Sequence, residues 1–336
     1  MSVRLAPALI ASLIVLLPSL AGPAHAQDER AALPVGGLML PPNAGISLKS
    51  HELKLATSGI EATYELVNEG DTDLVAIAAV PLPTLTGTDA DFEHDLPNET
   101  DPVNFISLAI TVDGKKLEPK VEQHASILGL DITARLAADK VPLNLFVAQR
   151  ARETLEKLPA DKRKFYQEYG LASWTGSQPT MVSWDLATSF HWSQAFPARK
   201  PVKVAIRYVP IIGTGSLNDT SLAPAGLAAL KAHCLDKDTE NGIRKALAAR
   251  KQAAPAESPN LFAQRLDYLI TSTSRWAGPI RDFRLTIDKP RADSIMSLCF
   301  SGKFQKTSPT GFQFSAKDFD PRGDLSILFV NPSTQP

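Results

Sequence analysis

Three tryptophans, Trp174, Trp184 and Trp192, fall within nineteen residues, and Tyr166 and Tyr169 come just before them. Aromatic rings grouped this way can stack on sugar rings, face against apolar face. The spacing also fits a second role. Val182, Trp184, Leu186, Thr188, Phe190 and Trp192 recur at every second position, so in a strand they share one face, as a core stripe does. The opposite face then carries Ser183, Asp185, Ser189 and His191. If that face lines a groove, Asp185 and His191 are its polar handles and the candidate acid and base of a hydrolytic site.

Trp276-Ala-Gly-Pro-Ile280 offers a second place for a ligand, because Gly278 permits close approach and Arg281 and Arg284 add charge. The same segment also reads as a turn that plugs the end of a sandwich with an indole. Asp185, His191, Trp276 and Arg281 are therefore the ligand-binding candidates. In the acidic stretch Asp89 to Asp95, continued by Glu99 and Asp101, Asp89, Asp91 and Glu93 match positions one, three and five of a calcium loop. Position six is His94 and position twelve is Thr100, so the pattern fails and a solvated loop is expected. His51, His94, His124, His191 and His233 lack zinc-ligand spacing. Gly213-Thr-Gly215 lacks the remainder of a dinucleotide or phosphate loop and reads as a turn ending a strand. No G-x-S-x-G elbow occurs. The expectation is no catalytic set, no metal and no cofactor.

The first twenty-six residues place these candidates in a compartment. Arg4 precedes an apolar run from Leu5 to Leu20, which is broken by Pro18 and closed by Gly22, Pro23 and Ala24-His25-Ala26. This order is that of a cleavable secretory signal peptide and predicts a mature chain beginning at Gln27 in the periplasm. The run is too short and broken for a spanning helix, and no cysteine follows it to accept lipid. No membrane span is expected after cleavage. Cleavage removes one charged residue, Arg4, leaving 34 basic residues, one fewer than the full chain's 35, against 36 acidic. A near-neutral chain without a basic stripe has no electrostatic footprint for nucleic acid or an anionic membrane. The two cysteines, Cys234 and Cys299, both lie in the exported part. An even count in an oxidising compartment favours one disulfide, with two buried thiols as the alternative.

The elements that must position these residues are mostly strands. Ile46 to Leu55 alternates with one slip, and Ile60 to Leu66 alternates cleanly. Leu74 to Val80 is a continuous apolar run, as expected of a strand buried on both faces or in a sandwich core. Asp113-Gly114 predicts a hairpin. Helical spacing marks Leu128 to Ala138, Phe146 to Leu158 and Lys162 to Tyr169, an insertion at about 126–170. A second, partly helical stretch covers 216–262, with its best helix over Asn241 to Lys251. Strands return at Leu266 to Thr273, Phe283 to Ile287, Ile295 to Phe300, Gly311 to Phe314 and Leu325 to Val330. The predicted class is mainly β with helical insertions, in two antiparallel β-sandwich-like units. The boundaries are a signal peptide at 1–26, an N-terminal sandwich at 27–215, a connection at 216–262 and a C-terminal β-rich unit at 263–336.

Several segments together resemble a bacterial exported family known as domain of unknown function 4424. They are Gly36-Gly37-Leu38, Tyr64-Glu-Leu-Val-Asn68, Val80-Pro-Leu-Pro83, Tyr208-Val-Pro-Ile-Ile-Gly-Thr-Gly215, Cys234, Tyr268-Leu-Ile-Thr, Trp276-Ala-Gly-Pro-Ile280, Phe283 to Asp288, Cys299-Phe, Ser308-Pro-Thr310 and Asp324-Leu325. The resemblance implies a compartment and an architecture but no activity. Residues 59 to 121 also resemble the vault protein inter-alpha-trypsin domain, a β-sandwich used in interaction proteins. Together these readings give an exported, non-enzymatic protein that binds an envelope component or another exported protein. An envelope glycan or peptide hydrolase and a structural or assembly factor are the alternatives. Oligomeric state is not readable.

Overall fold

A computed structural model describes residues 32–332 apart from 43, 87–96, 99, 145–147, 256–257 and 272–275. The signal peptide and the acidic stretch Asp89 to Asp95 lie outside the described residues.

The chain is mainly β, with its helices confined to two insertions. The largest sheet has eight strands in the order β17 (Gln305–Lys306), β18 (Gly311–Phe319), β15 (Ile280–Asp288), β2 (Ile46–Ala56), β3 (Gly59–Asn68), β12 (Pro201–Tyr208), β5 (Ala109–Val112) and β6 (Lys115–Leu117). Alternation sets its inner face. Ile60, Ala62, Tyr64 and Leu66 of β3 and Val202, Val204, Ile206 and Tyr208 of β12 are all buried, and the residues between them face outward.

Two smaller sheets cover this inner face, and all three contribute to one hydrophobic cluster. One sheet runs β4 (Leu74–Pro81), β11 (Asp185–Phe196), β7 (Lys120–Ile127) and β8 (Leu130–Asp131). The other runs β1 (Val35–Gly36), β14 (Leu261–Leu269), β19 (Leu325–Asn331) and β16 (Ile295–Leu298), with β13 (Gly213–Leu217) also on β14. The described strand pairings are antiparallel except for two, β15 with β2 and β1 with β14.

The first insertion holds α1 (Thr133–Ala138), α2 (Ala148–Glu156), α3 (Ala160–Glu168) and a hairpin of β9 (Ala172–Thr175) and β10 (Gln178–Val182). It has its own core of Leu136, Leu155, Tyr166, Leu171 and Trp184. Asp139 is buried there, accepting from Arg135 (2.9 Å), Lys162 (2.5 Å) and Tyr166 (3.0 Å). Burial pushes its carboxyl up, but these hydrogen bonds outweigh burial and hold it below the usual aspartate range. The second insertion holds α4 (Pro224–Leu230) and α5 (Lys237–Ala253), the latter capped by Asp236 accepting from the Thr239 backbone N–H at 2.7 Å. Ile243 and Leu247 pack on Leu261 and Val330, and a Cys234–Cys299 disulfide ties this insertion to the segment after β16.

Three expectations need correction. Leu128 to Ala138 does not open as a helix. Leu128 and Gly129, with φ of 48° and 81°, turn β7 back into β8, and the helix starts only at Thr133. Gly213-Thr-Gly215 is not a terminating turn but the start of β13, paired with Ala263 to Arg265, because the chain re-enters the sheet after Pro210. Of the two readings of Leu74 to Val80, burial on both faces is corrected, whereas Ala78 and Val80 do sit in the sandwich core. β4 lies at a sheet edge and alternates, with Val75 and Ile77 65% and 62% exposed, since nothing described covers the outer face there.

At the meeting of the three sheets a strap crosses the core. The Leu38 backbone N–H donates to the Tyr64 hydroxyl (3.2 Å), which sits 3.3 Å from the Tyr268 hydroxyl, and the Tyr208 hydroxyl donates to the Val35 carbonyl (3.3 Å). Gly37 permits this approach: a Cβ there would fall 1.9 Å from the Tyr64 oxygen and 2.6 Å from that of Tyr268. His51 stacks on Tyr64 at 4.4 Å and is wholly buried, and neither ring nitrogen has a hydrogen-bond partner among the described residues. Burial lowers its pKa to about 3, so the ring is neutral at physiological pH.

Candidate binding surface

The stripe of Val182, Trp184, Leu186, Thr188, Phe190 and Trp192 is buried throughout, so the tryptophans 184 and 192 are core, not a stacking platform. The Trp184 indole donates to the Leu143 carbonyl at 2.7 Å. The alternate residues of β11 face outward, as parity requires. Asp185 and His191 stand six residues apart on one extended strand, which separates their Cα atoms by roughly 20 Å. No direct proton relay can join them. Neither lines the described clefts. Trp276 and Arg281 are not brought together either. Trp276 packs on the core 6.1 Å from the Tyr64 ring, and Arg281 makes an exposed ion pair with Asp318 at 2.7 Å on the outer side of the large sheet.

His191 acquires a different neighbourhood. It pairs in register with Ala79 of β4, and the next outward positions on the two strands are Ser193 beside Ile77 and Ala195 beside Val75. Val75, Ile77, Ala79 and Ala195 make an apolar patch with His191 and Ser193 at its rim. The backbone beside this patch is open. Ala79 exchanges both its backbone hydrogen bonds with Met39, at 2.8 and 3.0 Å, so the N–H and C=O groups of Val75 and Ile77, four and two residues earlier, point to the same outer edge. Beyond the Met39 bridge, no backbone partner for them occurs among the described residues. A free edge and an apolar face here coincide. Sequence reading missed the site because an apolar run does not reveal which of its faces is left uncovered.

The outer face of the large sheet is polar instead. A cleft of about 610 Å³ lies at the ends of β2, β12 and β15, and its walls carry Lys54, Glu61, Arg207, Asp288 and Lys289. Glu61 and Arg207 pair at 2.9 Å and Lys54 and Asp288 at 3.5 Å, so the charges largely answer one another. Among the described residues no three His, Cys, Asp or Glu side chains are placed to hold a metal, and no helix is long and apolar enough to cross a membrane.

A β-rich scaffold built from three facing sheets, with an apolar face and an open edge on its four-stranded sheet, defines the class. The chain belongs to the domain of unknown function family DUF4424, whose model matches residues 26–328. No curated protein matches it. Among solved structures it is similar to a proposed nutrient binding protein of Legionella pneumophila, at 12% identity and a TM-score of 0.45 over 90% of this chain and 72% of that one. It is also similar to yeast LTA4 hydrolase, at 8% identity and a TM-score of 0.29 over 87% of this chain and 30% of that one. Neither likeness is close enough to carry a functional argument.

Proposed function

We propose that this is an exported, non-catalytic binding protein of the cell envelope, which holds another exported protein through the open edge of β4. The observation that carries this reading is that the edge backbone of Val75 and Ile77, which has no backbone partner among the described residues, coincides with their exposed side chains. An edge of this kind is normally blunted by charge, proline or a covering segment, because it templates pairing with another chain. An added strand would gain main-chain hydrogen bonds from the edge and specificity from alternate side chains meeting the patch. Residues 1–26 and the Cys234–Cys299 pair support a compartment outside the cytoplasm. An assembly factor would present the same edge and would differ in releasing its partner.

The test uses Ile77→Lys. A lysine on a free edge opposes strand addition, while a position so exposed contributes little to folding, within about 0.5 kcal/mol. A photo-crosslinker at position 75 should trap a discrete exported protein in cells. Ile77→Lys should reduce that adduct about tenfold at an unchanged melting temperature, a loss equal to about 1.4 kcal/mol of binding. A crosslinker at the exposed Lys317 should trap nothing comparable. Equal adducts from positions 75 and 317, or an adduct indifferent to Ile77→Lys, would sink the reading.

A further inference from the structure

The hairpin of β7 and β8 ends in the two-residue turn Leu128–Gly129, with Ile127 paired to Leu130 across it. Both turn residues have positive φ, 48° and 81°, as in a type I′ turn, whose least strained sequence is asparagine followed by glycine. Leucine is poorly suited to that first position, since its branched apolar side chain gains nothing from left-handed backbone. It is also 95% exposed, the most of any large apolar residue described, and Leu130 beside it is 56% exposed. Leu128 thus costs stability twice, through its backbone and through apolar surface left in water, and asparagine would cost neither.

We propose that the Leu128–Leu130 tip inserts into a lipid surface of zwitterionic headgroups, so that the protein sits peripherally on an envelope membrane. Shape favours lipid over a protein socket. A two-residue turn is convex and offers two leucines, far less than the roughly 800 Å² per partner of a specific protein contact. A bilayer takes a convex apolar group without a preformed pocket. Charge selects the headgroup. The polar side chains beside the tip, Glu122, His124 and Asp131, pair among themselves, with His124 2.9 Å from Glu122 and 3.4 Å from Asp131. They supply no cationic cluster for an anionic surface, and the chain's net charge is −1.

This inference rests on the export reading but not on the β4 edge, and purified protein with defined vesicles tests it. In flotation with vesicles of phosphatidylethanolamine and phosphatidylcholine, the wild-type protein should rise with the lipid. Leu128→Asn should lower the bound fraction about tenfold while raising the melting temperature, since it relieves the turn. Adding phosphatidylglycerol, or 0.5 M salt, should change binding less than twofold. Ile77→Lys should float like wild type, which keeps failure here distinct from failure of the edge. In Leu128→Trp, vesicles should shift indole emission to the blue. Wild-type protein left at the bottom of the gradient, equal flotation of Leu128→Asn, or binding only to phosphatidylglycerol at low salt would each overturn the proposal. So would loss of a crosslinked protein on Leu128→Asn with flotation unchanged, which would assign the tip to a protein partner.

Discussion

Replacing Cys234 and Cys299 together by serine is expected to lower the unfolding midpoint by roughly 10 °C, with the effect reproduced by reductant on the wild-type protein. The bridge spans 65 residues, and loop closure in the unfolded chain makes a link of that length worth about 4 kcal/mol. For a chain of this size each kcal/mol moves the midpoint by about 2–4 °C. Its placement matters as much as its length. The bridge fastens the second insertion, which otherwise meets the sheets through a small apolar cluster of Leu230, Ile243 and Leu247 against Leu217, Leu261 and Val330 and through hydrogen bonds of His233 with Ser297 and Ser326. Hydrogen exchange should therefore show the loss first in α4 and α5 and last in β2 and β3. A midpoint drop below about 3 °C by calorimetry would mean that packing alone holds the insertion, and that the staple acts only on the unfolded chain's reactivity.

Acid should unfold the protein through His51. Its folded pKa of about 3 lies below the usual value of 6.5, so the unfolded chain binds the proton more readily throughout that interval. Stability is then full above pH 6.5 and is lost progressively as pH falls toward 3. The loss is roughly 2 kcal/mol by pH 5 and roughly 3 by pH 4. Among the described residues the ring finds no compensation in place, because its two nitrogens lack partners there and its near neighbours are the rings of Tyr64 and Phe283. His51→Leu has similar volume and no charge to bury. It should match wild type within about 1 kcal/mol at pH 7.5 and exceed it by roughly 2 at pH 5 in urea titrations. Parallel pH profiles for the two proteins would show that His51 is not the acid-sensitive group.

Parity made much of this fold legible in advance. The alternation of Ile60 to Leu66 and of Val182 to Trp192 states which side chains are inside, and the structure buries those residues. His51 was within reach of the same argument. The slip in β2 is a bulge between Leu48 and Ser50, after which His51, Leu53 and Leu55 share the inward face. A histidine on an apolar stripe was thus marked by its position alone. Other features lie beyond local pattern. Exposure of Val75 and Ile77 depends on what fails to cover β4, and β13 depends on a partner some fifty residues later. The six-residue separation of Asp185 and His191 along an extended strand explains why the two, though on one face, form no joint site. The helical spacing of Leu128, Ile132 and Leu136 runs through the tip unless Gly129 is given its turn role.

The parallel pairing of β2 with β15 also governs the order of assembly. Glu52 and Arg284 face one another there across 232 residues of chain. A contact closing so long a loop forms late, since its entropy must be met before its hydrogen bonds exist. Until about the last sixth of the chain arrives, one side of β2 is a bare edge in the middle of the future sheet. A chain cut short before Ile280 would keep that edge permanently, and with it the tendency of unpaired strands to join those of other molecules. The carboxyl-terminal strands thus act as a built-in chaperone for the amino-terminal ones, shielding in the finished molecule what a fragment would present to its neighbours.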